Sequence, residues 1–230
     1  MKKYEIILWD VDQTLLDFNE SENYAIRKAF EQFNLSIRDE IVTLYSRIND
    51  SYWKRFEKGE VSKEEVQLGR FRTLFKEIDI QNISPEEFAP VYQRLLGSVY
   101  FYRDDSYELC KHLKEVCRQF VVTNGVTWTQ RNKLKLSGLD LLMEDIFISE
   151  EMGTHKPMKE FFDKCFERIK GFERDRTIIV GDSLTSDMLG GNRAGIACCW
   201  YNPEGRKREG QLQIDYEIRN LWEIEGIIDG

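Results

Sequence analysis

Histidine is nearly absent from these 230 residues, with His112 and His155 the only two. A metal centre of several imidazoles is thereby excluded, so a bound metal must be held mainly by oxygen, which favours magnesium-type chemistry. Cysteine is sparse as well. Cys110, Cys117, Cys165, Cys198 and Cys199 are an odd set without a C-x-x-C pair, several in apolar segments, the pattern of reduced core thiols and not of a disulfide framework. Only four prolines occur, and no repeat or low-complexity stretch, so no floppy linker between separate domains is expected. No apolar run nears the roughly 18 residues of a membrane span. The start, Met1-Lys2-Lys3-Tyr4-Glu5, leads into a short apolar run with no signal-type cleavage site. A cytoplasmic protein without a membrane partner is expected. Positive charge is in deficit: 33 Lys plus Arg against 41 Asp plus Glu leave a net charge of -8, the wrong sign for a nucleic-acid groove.

What is present is enough apolar residue for a sizeable core, in a chain about one and a half times a typical domain. Short continuous apolar runs recur at Ile6 to Trp9, Phe120 to Thr123, Ile146 to Ser149, Thr177 to Gly181 and Ile196 to Trp200. Runs that do not alternate suit parallel strands buried on both faces. Helical patterns over Tyr107 to Val116, Gln130 to Leu136 and Lys159 to Ile169 separate the later runs. This β-α-β rhythm predicts an α/β fold with a doubly wound parallel sheet, whose ligands gather at the carboxyl ends of the strands.

Residues 17–99 interrupt that rhythm with almost no strand signal. Ser62-Lys63-Glu64-Glu65 has capping-box form, and Ser84-Pro85-Glu86-Glu87 adds proline at the first helical position. Tyr24, Ile26, Ala29, Phe30 and Phe33 fall at helical spacing, as do Leu44, Ile48, Tyr52 and Phe56. The expected division is a discontinuous core of residues 1–16 and 100–230, with an all-helical insert over 17–99.

Four short motifs stand at the predicted strand ends. Asp10-Val11-Asp12-Gln13-Thr14 follows the first strand, so two carboxylates two residues apart point the same way and demand a counter-charge. A calcium loop of EF-hand type would need Gly and Glu where Leu15 and Ser21 stand. Thr123-Asn124-Gly125 follows the second strand, as an ordinary strand-to-helix turn or as a hydroxyl and turn amides able to accept an anion. Lys156 stands after the third strand, ahead of Pro157, which can begin the next helix. Gly181-Asp182-Ser183-Leu184-Thr185-Ser186-Asp187 closes the fourth strand with two more carboxylates. Ser183 or Thr185 could cap a helix there, with Asp187 as a first-turn acid.

In this order and setting, D-x-D-x-T, a run ending in Thr, Lys-Pro and G-D-x-x-x-x-D resemble the haloacid dehalogenase superfamily of Rossmann-like aspartyl-nucleophile enzymes. The resemblance covers the whole chain, and the helical insert looks like that family's cap. It implies that Asp10 is the nucleophile forming an aspartyl-phosphate, and that Asp12 protonates the leaving oxygen and then deprotonates water. The second acid argues against dehalogenation, because departing halide needs no proton. It implies Mg2+ held by Asp10, the backbone carbonyl of Asp12 and Asp182, with Asp187 behind them or paired with Lys156. Thr123 and the Asn124 and Gly125 amides would hold phosphoryl oxygens, and Lys156 would offset the negative charge.

Weaker words resemble bacterial pyrimidine 5'-nucleotidases: Ile148-Ser149-Glu150-Glu151-Met152-Gly153, Gly190-Gly191-Asn192-Arg193-Ala194-Gly195, Cys199-Trp200-Tyr201-Asn202 and Gly69-Arg70-Phe71. The implied substrate is a small phosphomonoester, a nucleoside monophosphate and not a nucleic-acid polymer. A sugar phosphate or phosphoglycolate is the alternative, followed by phosphotransfer to another acceptor or a non-catalytic phosphate-binding module. Tyr52, Trp53, Phe56, Arg70 and Phe71 are candidates to face a nucleoside, although a helical insert also needs aromatics for its own interior.

Overall fold

The computed structural model describes residues 3–208 and 210–230. In chain order the elements are β1 (Ile6–Trp9), α1 (Phe18–Gln32), α2 (Asp39–Glu57), α3 (Lys63–Glu77), α4 (Pro85–Leu96), α5 (Ser106–Leu113), β2 (Arg118–Thr123), α6 (Thr127–Ser137), β3 (Asp145–Ile148), α7 (Ser149–Met152), α8 (Lys159–Arg168), β4 (Thr177–Gly181), α9 (Leu189–Ala194), β5 (Ala197–Tyr201), β6 (Tyr216–Ile218) and α10 (Ile224–Asp229). They divide into two compact units, Met1–Phe18 with Tyr100–Gly230, and Asn19–Val99. Among the described residues no helix is long and apolar enough to cross a membrane.

The first unit is an α/β sandwich around a six-stranded sheet of order β3-β2-β1-β4-β5-β6, parallel throughout. Alternate residues of each strand feed two separate cores. Ile7, Trp9, Val121, Ile178 and Val180 pack on one face, and Ile6, Leu8, Phe120, Val122 and Ile179 on the other. Two buried faces explain why the strands read as continuous apolar runs. Strand β2 begins two residues earlier than its apolar run, because Gln119 is buried with both amide atoms satisfied: it accepts from Trp9 Nε1 at 3.0 Å and donates to the Cys110 carbonyl at 2.7 Å. All five cysteines are buried free thiols. Helix α8 starts at Lys159, not at Pro157, which lies in the loop before it.

The second unit is helical. Ser62 accepts from the Glu65 amide at 3.1 Å, and Ser84 and Glu87 form a reciprocal capping box behind Pro85. The spacing Leu44, Ile48, Tyr52, Phe56 predicts the buried stripe of α2, but Tyr45 and Asn49 carry it with Phe56. Tyr45 stacks on Phe71, its ring centroid 5.4 Å away, while Leu44, Ile48 and Tyr52 line a shallow groove with Arg47 and Arg55. Asn49 bridges two buried charges, donating to Glu22 at 2.8 Å and accepting from Arg70 Nη1 at 2.6 Å. Ser46 also donates to Glu22.

Burial pushes the Glu22 carboxyl up to about 7, against the opposing pull of Ser46, Arg70 and Asn49. The folded state therefore binds a proton more tightly than the unfolded one. That contribution to stability is complete below about pH 4.5, the ordinary range of glutamate, and is lost as pH rises through 7. Glu22→Gln fixes the neutral form. It should exceed the original chain in stability by about 1–3 kcal/mol at pH 8, with the advantage vanishing near pH 5. Urea unfolding at both pH values measures this; an advantage that grows toward acid would refute it.

Candidate active site

The central strand β1 delivers Asp10 to the carboxyl edge of the sheet, where its amide continues the ladder by donating to the Val180 carbonyl at 2.9 Å. Its two carboxylate oxygens divide their partners. Thr14 Oγ1 donates to Oδ2 at 3.0 Å, which accounts for the threonine of the D-x-D-x-T motif, and Lys156 Nζ donates to Oδ1 at 2.7 Å. Between them Gln13 sits at φ 66°, a left-handed conformation costing an L-residue roughly 1–2 kcal/mol. The cost is offset by its side chain, which accepts from the Phe18 amide and from Arg103 Nη2.

Lys156 is 1% exposed, and its ammonium makes three bonds: to Asp10, to Asp187 Oδ1 at 2.7 Å and to the Val122 carbonyl at 2.8 Å. Burial alone would lower this ammonium's pKa, but Asp10 and Asp187 outweigh it and hold the group above its ordinary value. Asn124 explains how a lysine on a loop is held so firmly. Its amide nitrogen donates to the Lys156 carbonyl at 2.8 Å and its oxygen accepts from the Lys156 amide at 2.9 Å, a two-point clamp on the backbone. The neighbouring Gly125 amide donates to Thr123 Oγ1 at 3.1 Å.

After β4 the chain makes a single π-helical turn, Leu184–Met188, a geometry that recurs at functional sites. Ser183 caps it by accepting from the Ser186 amide at 3.1 Å, and Asp187 Oδ2 accepts from the Ser183 amide at 3.1 Å. Gly181 is required here, since a Cβ on it would lie 2.3 Å from the Asp187 carboxylate. Asp182 meets Arg206, which donates to its backbone oxygen at 2.8 Å and approaches Oδ2 at 3.3 Å.

Asp10, Asp182 and Asp187 each bring a carboxylate oxygen within 4.8 Å of the others. One buried ammonium cannot neutralise three carboxylates. Burial pushes Asp10 well above the usual range, with Lys156 opposing and Asp187 and Asp182 adding to the rise. Asp182 is pushed up to about 7 by burial and by Asp187, against Arg206. The missing positive charge and the all-oxygen donor set fit a hard divalent cation. Both oxygens of Asp187 are already committed to Lys156 and Ser183, so Asp10 and Asp182 are the better carboxylate ligands.

Asp12 has two partners that sequence reasoning missed. Gln130 Nε2 donates to Oδ2 at 2.5 Å and Lys133 Nζ to Oδ1 at 2.9 Å, both from α6. Gly125 lets Gln130 in, because a Cβ there would lie 2.1 Å from its amide nitrogen. The spacing of Gln130 and Lys133 on one helical face was the available signal, masked by their polarity. Arg206 was missed as well, lying in a polar loop without a pattern. Of the residues expected to face a nucleoside, Arg70, Phe71 and Phe56 are buried within the helical unit, where the Arg70 guanidinium lies 4.9 Å from the Phe71 ring centroid; Tyr52 and Trp53 are half-buried.

The family model for haloacid dehalogenase-like hydrolases matches residues 7–201. The HAD-hydrolase YfnB of Bacillus subtilis is 38% identical over 229 residues, covering 100% of this chain and 97% of that protein. Its crystal structure bound to magnesium superposes with a TM-score of 0.93 over 100% of both chains. The pyrimidine 5'-nucleotidase PynA of Streptococcus pneumoniae is 33% identical over 98% of this chain and 95% of its own length. The pyrimidine 5'-nucleotidase YjjG of Escherichia coli is 26% identical over 98% of both.

Proposed function

The chain belongs to the haloacid dehalogenase-like hydrolases, and from that premise we propose that it is a magnesium-dependent phosphatase of pyrimidine nucleoside 5'-monophosphates acting through an aspartyl-phosphate. The observation that carries the chemistry is the buried Lys156, which ties the Asp10 carboxylate to Asp187 at one sheet edge beside Asp182. The substrate class is supported by similarity to two pyrimidine 5'-nucleotidases along nearly the whole chain, helical insert included.

Phosphomonoesters resist attack because their phosphoryl oxygens are anionic, so catalysis consists of neutralising those oxygens and positioning an in-line nucleophile. The Asp10 oxygen forms the new bond to phosphorus as the ester P–O bond breaks. The electron pair leaves on the ester oxygen, which takes a proton from Asp12. In the second half-reaction water attacks phosphorus and gives its proton to Asp12, and the Asp10–phosphorus bond breaks with its pair returning to the carboxylate. The proton taken from water thus replaces the one that left with the alcohol and readies Asp12 for the next cycle. Lys156 offsets charge on Asp10 and on the phosphoryl group, and the Thr123 hydroxyl and the Asn124 backbone amide would donate to phosphoryl oxygens, with the Gly125 amide joining them on release from Thr123 Oγ1. Asp10, Asp182 and the Asp12 backbone carbonyl would hold magnesium, which as a Lewis acid adds positive charge at the phosphoryl oxygens.

Phosphate release from a panel of monophosphates, with magnesium and then with chelator, tests the proposal. Uridine and thymidine monophosphates should lead in kcat/KM, chelation should stop turnover and added magnesium restore it. If sugar phosphates or phosphoglycolate surpass every pyrimidine nucleotide, the substrate assignment is wrong. Undiminished turnover in metal-free enzyme removes magnesium from the reading.

A further inference from the structure

Both oxygens of Asp12 are held from one helix. Gln130 and Lys133 stand three residues apart on α6 and donate to Oδ2 and Oδ1 respectively, so the carboxylate has no free rotation about its terminal bond. The cost of this arrangement is out of proportion to any structural need. The Lys133 side chain is 0% exposed, whereas Asp12 is 27% exposed and within reach of water. Burying an ammonium against one partly exposed carboxylate and the Phe18 ring, whose centroid lies 5.5 Å away, is expensive, and ion pairs of this kind contribute little to stability compared with an apolar residue of equal volume. A methionine or leucine at position 133 would pack more cheaply. Gln130 is likewise buried, and enters only because Gly125 lacks a side chain.

We infer that Gln130 and Lys133 are positioning residues for Asp12, fixing its carboxylate for the water-activating half of the reaction. The inference rests on the proposed aspartyl-phosphate mechanism and adds two residues to it. The half-reactions differ in their need for Asp12. An ester whose leaving group departs unaided as a stable anion, such as 4-nitrophenyl phosphate, phosphorylates Asp10 without a proton donor, but the aspartyl-phosphate still requires a base to activate water. A nucleotide needs Asp12 in both halves, because its ribose oxygen must be protonated as it leaves.

Lys133→Met and Gln130→Met, assayed with magnesium present, separate this role from a structural one. With 4-nitrophenyl phosphate, Lys133→Met should lower kcat roughly 10²-fold and KM in proportion, leaving kcat/KM within about threefold, while phosphoenzyme accumulates in acid-quenched samples. With uridine monophosphate kcat/KM should itself fall, and Lys133→Arg should recover most of the loss. Gln130→Met should show the same split at smaller size, and it serves as the test if Lys133→Met does not fold. Equal losses of kcat/KM on both esters with no accumulated phosphoenzyme, or no loss in either variant, overturn the inference. A wild-type enzyme that hydrolyses neither ester overturns the phosphatase reading itself, whereas an active wild type with variants lacking the split overturns the positioning role alone.

Discussion

Asp10→Asn should reduce phosphate release by about 10⁴-fold or more while the chain stays folded, because an amide matches the carboxylate in shape but is a far poorer nucleophile. The fold survives since Lys156 keeps two acceptors, Asp187 and the Val122 carbonyl, and Thr14 can still donate to the amide oxygen. Two measurements belong together: phosphate release with magnesium present, and circular dichroism with a thermal melt. Loss of activity through unfolding would appear as a collapsed melt. A folded variant retaining full turnover would exclude a covalent aspartyl intermediate.

Lys156→Met should give the second large effect, in stability as much as in rate. Methionine preserves the stem but strands Asp10 and Asp187, two buried carboxylates whose shared cation is gone. Removing one partner of a buried ion pair costs about 3–5 kcal/mol. The sign with pH follows from Asp10. Its carboxyl is already held above the usual range, so acid supplies a proton that relieves the repulsion, and the deficit should shrink as pH falls from 8 to 5.5. Urea unfolding at the two pH values reads this directly. A deficit that widens in acid, or no deficit at either pH, would show that Lys156 does not carry the charge balance of the site. Asn124→Ala should follow in weaker form, because the ammonium is intact but its backbone clamp is lost.

The parts legible in sequence were those where pattern and chemistry agree. β1 and β4 begin and end where their apolar runs do, and the acidic and lysine motifs follow at one edge because a parallel sheet sends every strand's carboxyl end the same way. What escaped was buried polarity and brevity. Gln119, Gln130 and Lys133 look like solvent-facing residues and Arg70 like one that faces a nucleoside, yet each is buried against a specific partner that only the fold supplies. β6, Tyr216–Ile218, is a three-residue edge strand with too few positions to show a period. In α2 the apolar spacing pointed to one face while aromatic stacking on Phe71 and the Glu22–Asn49–Arg70 network selected another.

The place of β1 in the sheet has a bearing on biosynthesis. This strand is made before the other five of its sheet, yet it lies between β2 and β4, with Ile6 paired to Arg118 on one side and Thr177 on the other. At roughly 5–20 residues per second, the interval between the emergence of Asp10 and that of Asp187 is on the order of ten seconds or more. Until Arg118–Thr123 has been made, Ile6, Ile7, Leu8 and Trp9 have no strand to bind, one side of β1 then stays open until β4 follows, and pairings this distant in the chain form slowly. The apolar β1 segment is therefore open to chaperone capture until its partner strands follow. Translation arrested anywhere before β4 leaves a chain that carries Asp10 but lacks the neighbours, Asp182 and Asp187 among them, that hold its carboxyl above the usual range.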